Sequence, residues 1–352
     1  MVRPGQGLRH TGHGPVRIQY RFPARLHRGR RVPGHAGSAF RNGNRGPRGR
    51  AAVRILGVQC GFFRELPEGH GKERGLIVDT HTHFYDPSRP KGVPWPDPGD
   101  AFLYRRIMPE DFKGEARSEG VTGTVVVEAS AWVEDNRWIL DLAEEDPFLL
   151  GLVGHLEPPD EDFESDLDRF AAHDLFYGIR LGKVPVDDPA YLKALEQLAA
   201  HDLTLDLLVG KEWLAGVTAC ADRFPGLRIV LNHLAHVPVT GGRPDEEWIA
   251  GITSAAAHPN VFCKISGMVE LARDDPPPED PAYYKPVLDV LWNAFGESRL
   301  LYASNWPVSW RFASYRQVQA LAMACIEPRG SEALDKIMGK NSREAYRWVQ
   351  RS

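Results

Sequence analysis

Eight short apolar runs, each followed by a longer amphipathic stretch, set the limits on what this chain can fold into. The runs are residues 76–80, 123–128, 149–156, 176–181, 204–209, 227–232, 260–265 and 299–304. They are rich in branched residues and nearly continuous in hydrophobicity, the pattern of strands buried on both faces of a parallel sheet. Helical periodicity occupies 109–119, 135–145, 162–173, 188–201, 211–223, 245–257, 282–295 and 312–325, and a further helix is expected near 330–349. Pro109-Glu110-Asp111 and Pro281 stand where helix starts tolerate proline and favour acids. Eight strand–helix units in succession predict an α/β fold, a (β/α)8 TIM barrel over residues 76–352. A doubly wound open sheet is the rival, but no GxGxxG or GxxxxGK[ST] loop follows any of the runs.

Composition divides the chain in two. Residues 1–64 hold 14 Arg and no Lys, Asp or Glu. Removing those 14 from the 43 basic residues leaves 29 against 47 acids, a net charge of −18 for the remainder. A body that acidic argues against nucleic acid as a partner. Residues 1–75 are rich in Gly, Pro and Arg and lack a sustained apolar period. They are therefore expected to form a disordered basic extension. Arginine without lysine or acid reads best as sequence upstream of the native start; a polyanion-binding arm and a transit peptide are the alternatives. Cys60, Cys220, Cys263 and Cys325 are scattered without CxxC spacing, which fits buried thiols in a cytoplasmic protein. No run of 18 apolar residues occurs, so no membrane partner is expected. The sequence leaves a homo-oligomer open.

Functional residues of a barrel stand where its strands end. Those positions hold Asp79, His81, His83, Glu128, His155, Arg180, Asp206, Asn232, His233, Lys264, Ser304 and Asn305. Burying such groups is costly unless they share a partly hydrated site. His81 and His83 are two residues apart, so on a strand both imidazoles face the same way, into the barrel mouth. Imidazole nitrogen is a common zinc ligand, and a bound divalent ion lowers the pKa of its water to about 7. Hydrogen bonding within a polar core is the other reading of the pair. The long loop after the first strand carries Trp95, Arg105 and Arg106, and Trp95 with either arginine is expected near the substrate.

The segment Val78-Asp79-Thr80-His81-Thr82-His83-Phe84-Tyr85-Asp86-Pro87 resembles the opening motif of amidohydrolase-related proteins. The resemblance is strongest to the lactonases of sugar-acid lactones and of pyrone dicarboxylate. Four further segments resemble that group in the same order: Gly178-Ile179-Arg180, Ile229 to Leu234 with Pro238, Asn260 to Gly267, and Leu301 to Val308. The resemblance spans about 76–349. It implies a hydrolase that opens a small cyclic ester by water attack. His81, His83 and His233 would surround the water or a divalent metal such as zinc. Arg180 would hold the substrate with its planar fork, and Lys264 would stabilise the oxyanion. His155 and Trp306 are expected to line the substrate.

Two departures qualify that transfer. The resembled group carries Asp on the eighth strand as general base, and here the residue is Asn305, whose amide cannot accept a proton at neutral pH. Its sixth-strand Asp-His pair is Asn232-His233 here. Glu128, where the group often has Gln, is the candidate replacement base; an ion pair with Arg180 or Lys264 is the alternative. Losing a carboxylate also tilts the expectation toward weak metal dependence or none. Two other functions stay open: a metal-dependent non-oxidative decarboxylase, and a barrel that binds a small ligand without turnover.

Overall fold

The computed structural model describes residues 75–351. The expectation of a disordered extension therefore lies, apart from Gly75, outside the described residues.

The described chain forms a single parallel sheet whose strand order is the sequence order, β1 to β8. The strands are β1 (Val78–Thr82), β2 (Gly123–Val127), β3 (Leu149–Gly154), β4 (Phe176–Leu181), β5 (Thr204–Leu207), β6 (Arg228–Leu231), β7 (Val261–Ile265) and β8 (Leu300–Tyr302). Residues just past β8 bring its end back to β1. Thr82 bridges Trp306, His83 N–H donates to the Trp306 carbonyl (2.9 Å) and Asn305 N–H to the His81 carbonyl (3.1 Å). The result is the TIM barrel that the alternating pattern demanded.

Helices follow the strands: α1 (Pro109–Ala116), α2 (Val133–Glu145), α3 (Phe163–Ala171), α4 (Pro189–Ala200), α5 (Leu214–Arg223) and α6 (Glu246–Ala256). After β7 come a single turn, α7 (Met268–Leu271), and then α8 (Pro281–Phe295). The chain closes with α9 (Tyr315–Ile326), α10 (Ser331–Asp335) and α11 (Asn341–Tyr346). Their starts are fixed locally. Asp188, Asp245 and Asp280 each accept hydrogen bonds from first-turn amides, and Ser314 with Gln317 forms a capping box. Among the described residues no helix is long and apolar enough to cross a membrane.

Two apolar layers result. The larger lies between strands and helices and includes Leu152, Ile179, Leu205, Ile229 and Trp248. The smaller fills the barrel interior with Val78, Val125, Leu150, Val230, Phe262 and Leu301. The C-terminal segment seals that interior with Tyr346 and Trp348. Arg228 Nε donates to the Ala345 carbonyl at 2.8 Å, pinning the segment in place.

Strand edges agree with expectation to within two residues, and β4 coincides with its apolar run. β1 begins two residues later than the apolar run, which places His81 inside the strand rather than after it. Val78 faces the barrel interior, and strict alternation would turn a residue three positions on to the opposite face. A register irregularity between Asp79 and Thr82 absorbs the mismatch and re-aims His81 inward. At Gly178 a Cβ would lie 2.1 Å from the Thr204 carbonyl, so only glycine lets β4 approach β5 this closely.

Candidate active site

Three imidazoles meet at the C-terminal end of the barrel. The ring of His81 lies 4.9 Å from that of His83 and 4.4 Å from that of His233. All three residues are buried. Burial, reinforced by the nearby cations Lys264 and Arg180, lowers all three imidazole pKa values, that of His83 to about 3. At neutral pH the cluster is therefore uncharged.

Lys264 explains how that cluster is oriented. It lies on β7, fully buried, with its ammonium against three acceptors: Asp206 Oδ2 (2.7 Å), Asn232 Oδ1 (3.1 Å) and His81 Nδ1 (3.2 Å). An ammonium has three protons, and each is committed. His81 Nδ1 must then accept, so the ring proton sits on Nε2. His81 Nε2 is shut off from solvent and has no hydrogen-bond partner among the described residues. His83 has the opposite tautomer. Its Nδ1 faces the Val127 carbonyl at 2.9 Å and must donate, which leaves Nε2 as an acceptor. Tyr346 donates its hydroxyl to Asp206 from below, at 3.1 Å from Oδ2.

His233 sits on an unusual turn. His233, Leu234, Ala235 and His236 all have positive φ, between 47° and 53°. Left-handed backbone costs non-glycine residues roughly 1–2 kcal/mol each, and such runs persist only where surrounding contacts enforce them. Here Ser266 Oγ accepts from the His233 amide (3.3 Å) and pairs with its Nδ1 (2.8 Å). Trp248 Nε1 donates to the Leu234 carbonyl. Gly267, at φ +66°, presses on the turn so closely that a Cβ would lie 3.0 Å from that of His233.

Arg180 and Glu128 form a second polar unit. Arg180 Nε and Nη2 reach Glu128 Oε1 at 2.8 and 2.6 Å, and Nη2 also donates to the Glu128 carbonyl. The carboxylate proposed from sequence as a base is thus the partner of the proposed substrate clamp.

Glu270, on α7, escaped the sequence reading. Its Oε1 accepts from Asn305 Nδ2 at 2.9 Å, while its Oε2 is shut off from solvent without a partner among the described residues. Burial pushes this carboxyl up to about 7. Asn305, itself at φ +60°, bonds to both Glu270 and His83. A four-residue turn is too short for any periodic signal. Only the rule that chemistry follows a barrel strand, applied five residues past β7, points to Glu270.

The remaining expected residues scatter. Trp95 stands beside the cluster, its ring 5.8 Å from that of His83 and 5.4 Å from that of Tyr85. It helps line a cleft with Tyr85, Val93, Glu128 and Trp138. Arg105 is not brought in: it is exposed and lies over the rings of Phe102 and Trp310. Arg106 pairs with Asp86 at 3.5 Å. His155 is half-buried at the end of β3, its backbone bracketed by the Asn136 amide. Trp306 is fully buried between Phe84, Phe112 and Trp310, packed in the layer behind the strands rather than at the mouth. Its large ring is better accommodated there, where apolar burial is greatest.

The sequence and the fold have counterparts in known proteins. A sequence profile described as amidohydrolase matches residues 78–348. The chain belongs to the amidohydrolase family. It is 34% identical to an L-fucono-1,5-lactonase of Burkholderia ambifaria over 280 residues, 77% of this chain and 95% of the relative. It is 28% identical to an L-fucono-1,5-lactonase of Burkholderia multivorans, over 73% of this chain and 91% of the relative. An amidohydrolase of Burkholderia multivorans has been solved with bound HEPES (25% identity, TM-score 0.70) and with bound zinc (24% identity, TM-score 0.67). Each match covers 78% of this chain and all of that one.

Zinc in an amidohydrolase of the same fold raises the question of whether this site fits a metal. A zinc ligand must offer a lone pair. His83 Nε2 offers one, but His81 Nε2 carries a proton as long as Lys264 donates to Nδ1. Among the described residues no three His, Cys, Asp or Glu side chains are grouped to hold an ion. The three imidazoles converge, yet their hydrogen bonding does not make them a ligand set.

Proposed function

We propose that this amidohydrolase hydrolyses the lactone of a sugar acid, adding water to the ester carbonyl without a resident metal. One observation carries the reading: Lys264 donates to His81 Nδ1, which leaves an Nε2–H donor with no other demand on it in the middle of the cluster. A preorganised donor in a water-poor site is worth most where negative charge develops, as on the carbonyl oxygen of a tetrahedral intermediate. The lysine charge directly behind the ring strengthens that donor without transferring its proton. His83 Nε2 and His233 supply neutral polar contacts for the water. The L-fucono-1,5-lactonases among its relatives support lactone hydrolysis as the reaction.

The substrate class follows from charge balance. Arg180 is matched by Glu128 and Lys264 by Asp206, so the mouth has no uncompensated cation among these residues for a dicarboxylate. An ion pair that presents donors and acceptors side by side suits the hydroxyls of a sugar lactone. Trp95 offers an apolar ring face beside them.

A panel of five- and six-membered sugar-acid lactones and pyrone dicarboxylate, followed by acid release at pH 7, tests this. Turnover of sugar lactones well above the uncatalysed rate is expected. Thermal stabilisation by the lactones without turnover would make the protein a binding barrel, and release of carbon dioxide from aromatic acids would make it a decarboxylase. Either result overturns the reading.

A further inference from the structure

We propose that Glu270 is the base that takes the proton from the attacking water, replacing the carboxylate that Asn305 lacks. The proposal rests on the lactonase reading above and names the group that reading leaves unassigned.

Four carboxylates stand near the cluster, and two of them, Asp206 and Glu128, are committed to ion pairs. Asp79 Oδ1 accepts from the amides of His81 (3.1 Å) and Ser304 (3.0 Å), tying β1 to the end of β8. Asp206 receives Lys264, Asn232 and Tyr346. Glu128 holds Arg180. Asp79 and Glu270 each keep one oxygen that is shielded and unpartnered among the described residues, but Asp79 is fully buried beside Ser304 and Tyr315, whereas Glu270 is only partly buried, lies on the turn past β7 and joins the cluster through Asn305. An unsatisfied buried carboxylate oxygen costs stability and persists where it has work to do.

Its placement is specific. Gly267 adopts the left-handed backbone that starts α7, and the same glycine abuts His233. Asn305 then bridges Glu270 to His83. The amide at the eighth-strand position thus becomes a positioning residue, and the carboxylate is displaced one side chain outward, from β8 to the turn after β7. The groups facing Glu270 are Asn305 from the end of β8, Tyr284 from α8, and the neutral imidazoles of His233 and His236 on the turn packed against α7. None offers a cation to hold the carboxyl ionised, in agreement with a proton affinity suited to exchange near neutral pH.

The step balances. A water O–H bond breaks and its proton passes to Glu270 Oε2, while the oxygen forms a bond to the carbonyl carbon. The carbonyl π pair moves onto oxygen beside His81 Nε2–H. On collapse the ring C–O bond breaks, and the Glu270 proton passes to the departing ring oxygen. The product is an open hydroxy acid, which releases its carboxyl proton to solvent.

The test compares wild type, Glu270→Gln and the double variant Glu270→Gln/Asn305→Asp on the best lactone of the panel, from pH 5 to 9. Expected is a fall in kcat of about 10²- to 10⁴-fold for Glu270→Gln, with KM within about threefold and thermal stability retained. The acid limb of the wild-type kcat/KM profile should vanish with it. The double variant restores a carboxylate at the eighth-strand position, where Asn305 already tolerates left-handed backbone, and should run at least about tenfold faster than Glu270→Gln. A Glu270→Gln enzyme that keeps more than half of kcat, or that slows while its acid limb persists, overturns the assignment of Glu270 and leaves the lactonase reading standing. A wild-type protein inert toward the whole panel overturns both.

Discussion

Replacing Lys264 with Met tests the frame on which the site hangs. The side chain is fully buried, and so is Asp206, its ion-pair partner at 2.7 Å. Methionine fills a similar volume but leaves the Asp206 carboxylate in an apolar barrel with only Asn232 and the Tyr346 hydroxyl as donors. Breaking one side of a buried pair costs about 3–5 kcal/mol, mostly the penalty of the stranded charge. For a barrel of this size that corresponds to a Tm lower by roughly 6–15 °C. Removing both charges, in Lys264→Met/Asp206→Leu, strands no ion. The residual loss should be about 2–4 kcal/mol, chiefly for the unmatched Tyr346 hydroxyl and Asn232 amide, against the roughly 6–10 obtained by adding two single losses. Calorimetry of the two single variants and the double, at one scan rate and pH 7.5, measures the coupling. The same substitution releases His81 Nδ1 to carry the ring proton, which nitrogen-15 shifts of the imidazole would register, and lactone turnover should fall with it. A single variant that loses less than about 1 kcal/mol, or strictly additive losses, would refute the buried pair as the organiser of the cluster.

Three further outcomes are expected. Glu128→Gln should raise KM by about tenfold while kcat stays within about threefold, because Glu128 aligns Arg180 rather than moving a proton; steady-state kinetics on the preferred lactone decide it. Exhaustive dialysis against a chelator should leave kcat within about twofold of the untreated enzyme and added zinc should not raise it, read by metal analysis alongside turnover, since His81 Nε2 is a donor while Lys264 holds Nδ1. Glu270 has its folded pKa raised from 4.5 to about 7, so its contribution to stability is present in full below about pH 4.5 and is lost as pH climbs through 7. Glu270→Gln should accordingly match wild type near pH 4.5 and exceed it by about 1–2 kcal/mol at pH 8, once partial exposure is allowed for, in urea unfolding at the two pH values.

How far the sequence reached is clearest at single residues. The barrel was legible because strands buried on both faces leave long apolar runs, and no other element type repeats so regularly. His81 and His83 were legible as a pair because alternation keeps positions two apart on one face, although the register irregularity that aims them inward left no trace in residue type. Lys264 was legible as a strand-end cation, but its three acceptors come from β1, β5 and the end of β6, and such convergence is a property of the closed sheet alone. Glu128 and Arg180 were each legible; their mutual pairing, which changes the part Glu128 plays, was offered only as an alternative. Trp306 was misplaced because an aromatic beside Asn305 has the same composition whether it turns toward the mouth or toward the helices. Glu270 was missed because one turn of helix has no period.

Tyr346 lies 140 residues beyond the carboxylate it supports. A ribosome delivers Asp206 and Lys264 long before it delivers the hydroxyl beneath them, so every nascent chain passes through a stage with all eight strands made and the floor beneath the histidine cluster still open. Shortening the protein by its final few residues would leave each residue of the histidine cluster in the polypeptide and still deny the cluster its foundation.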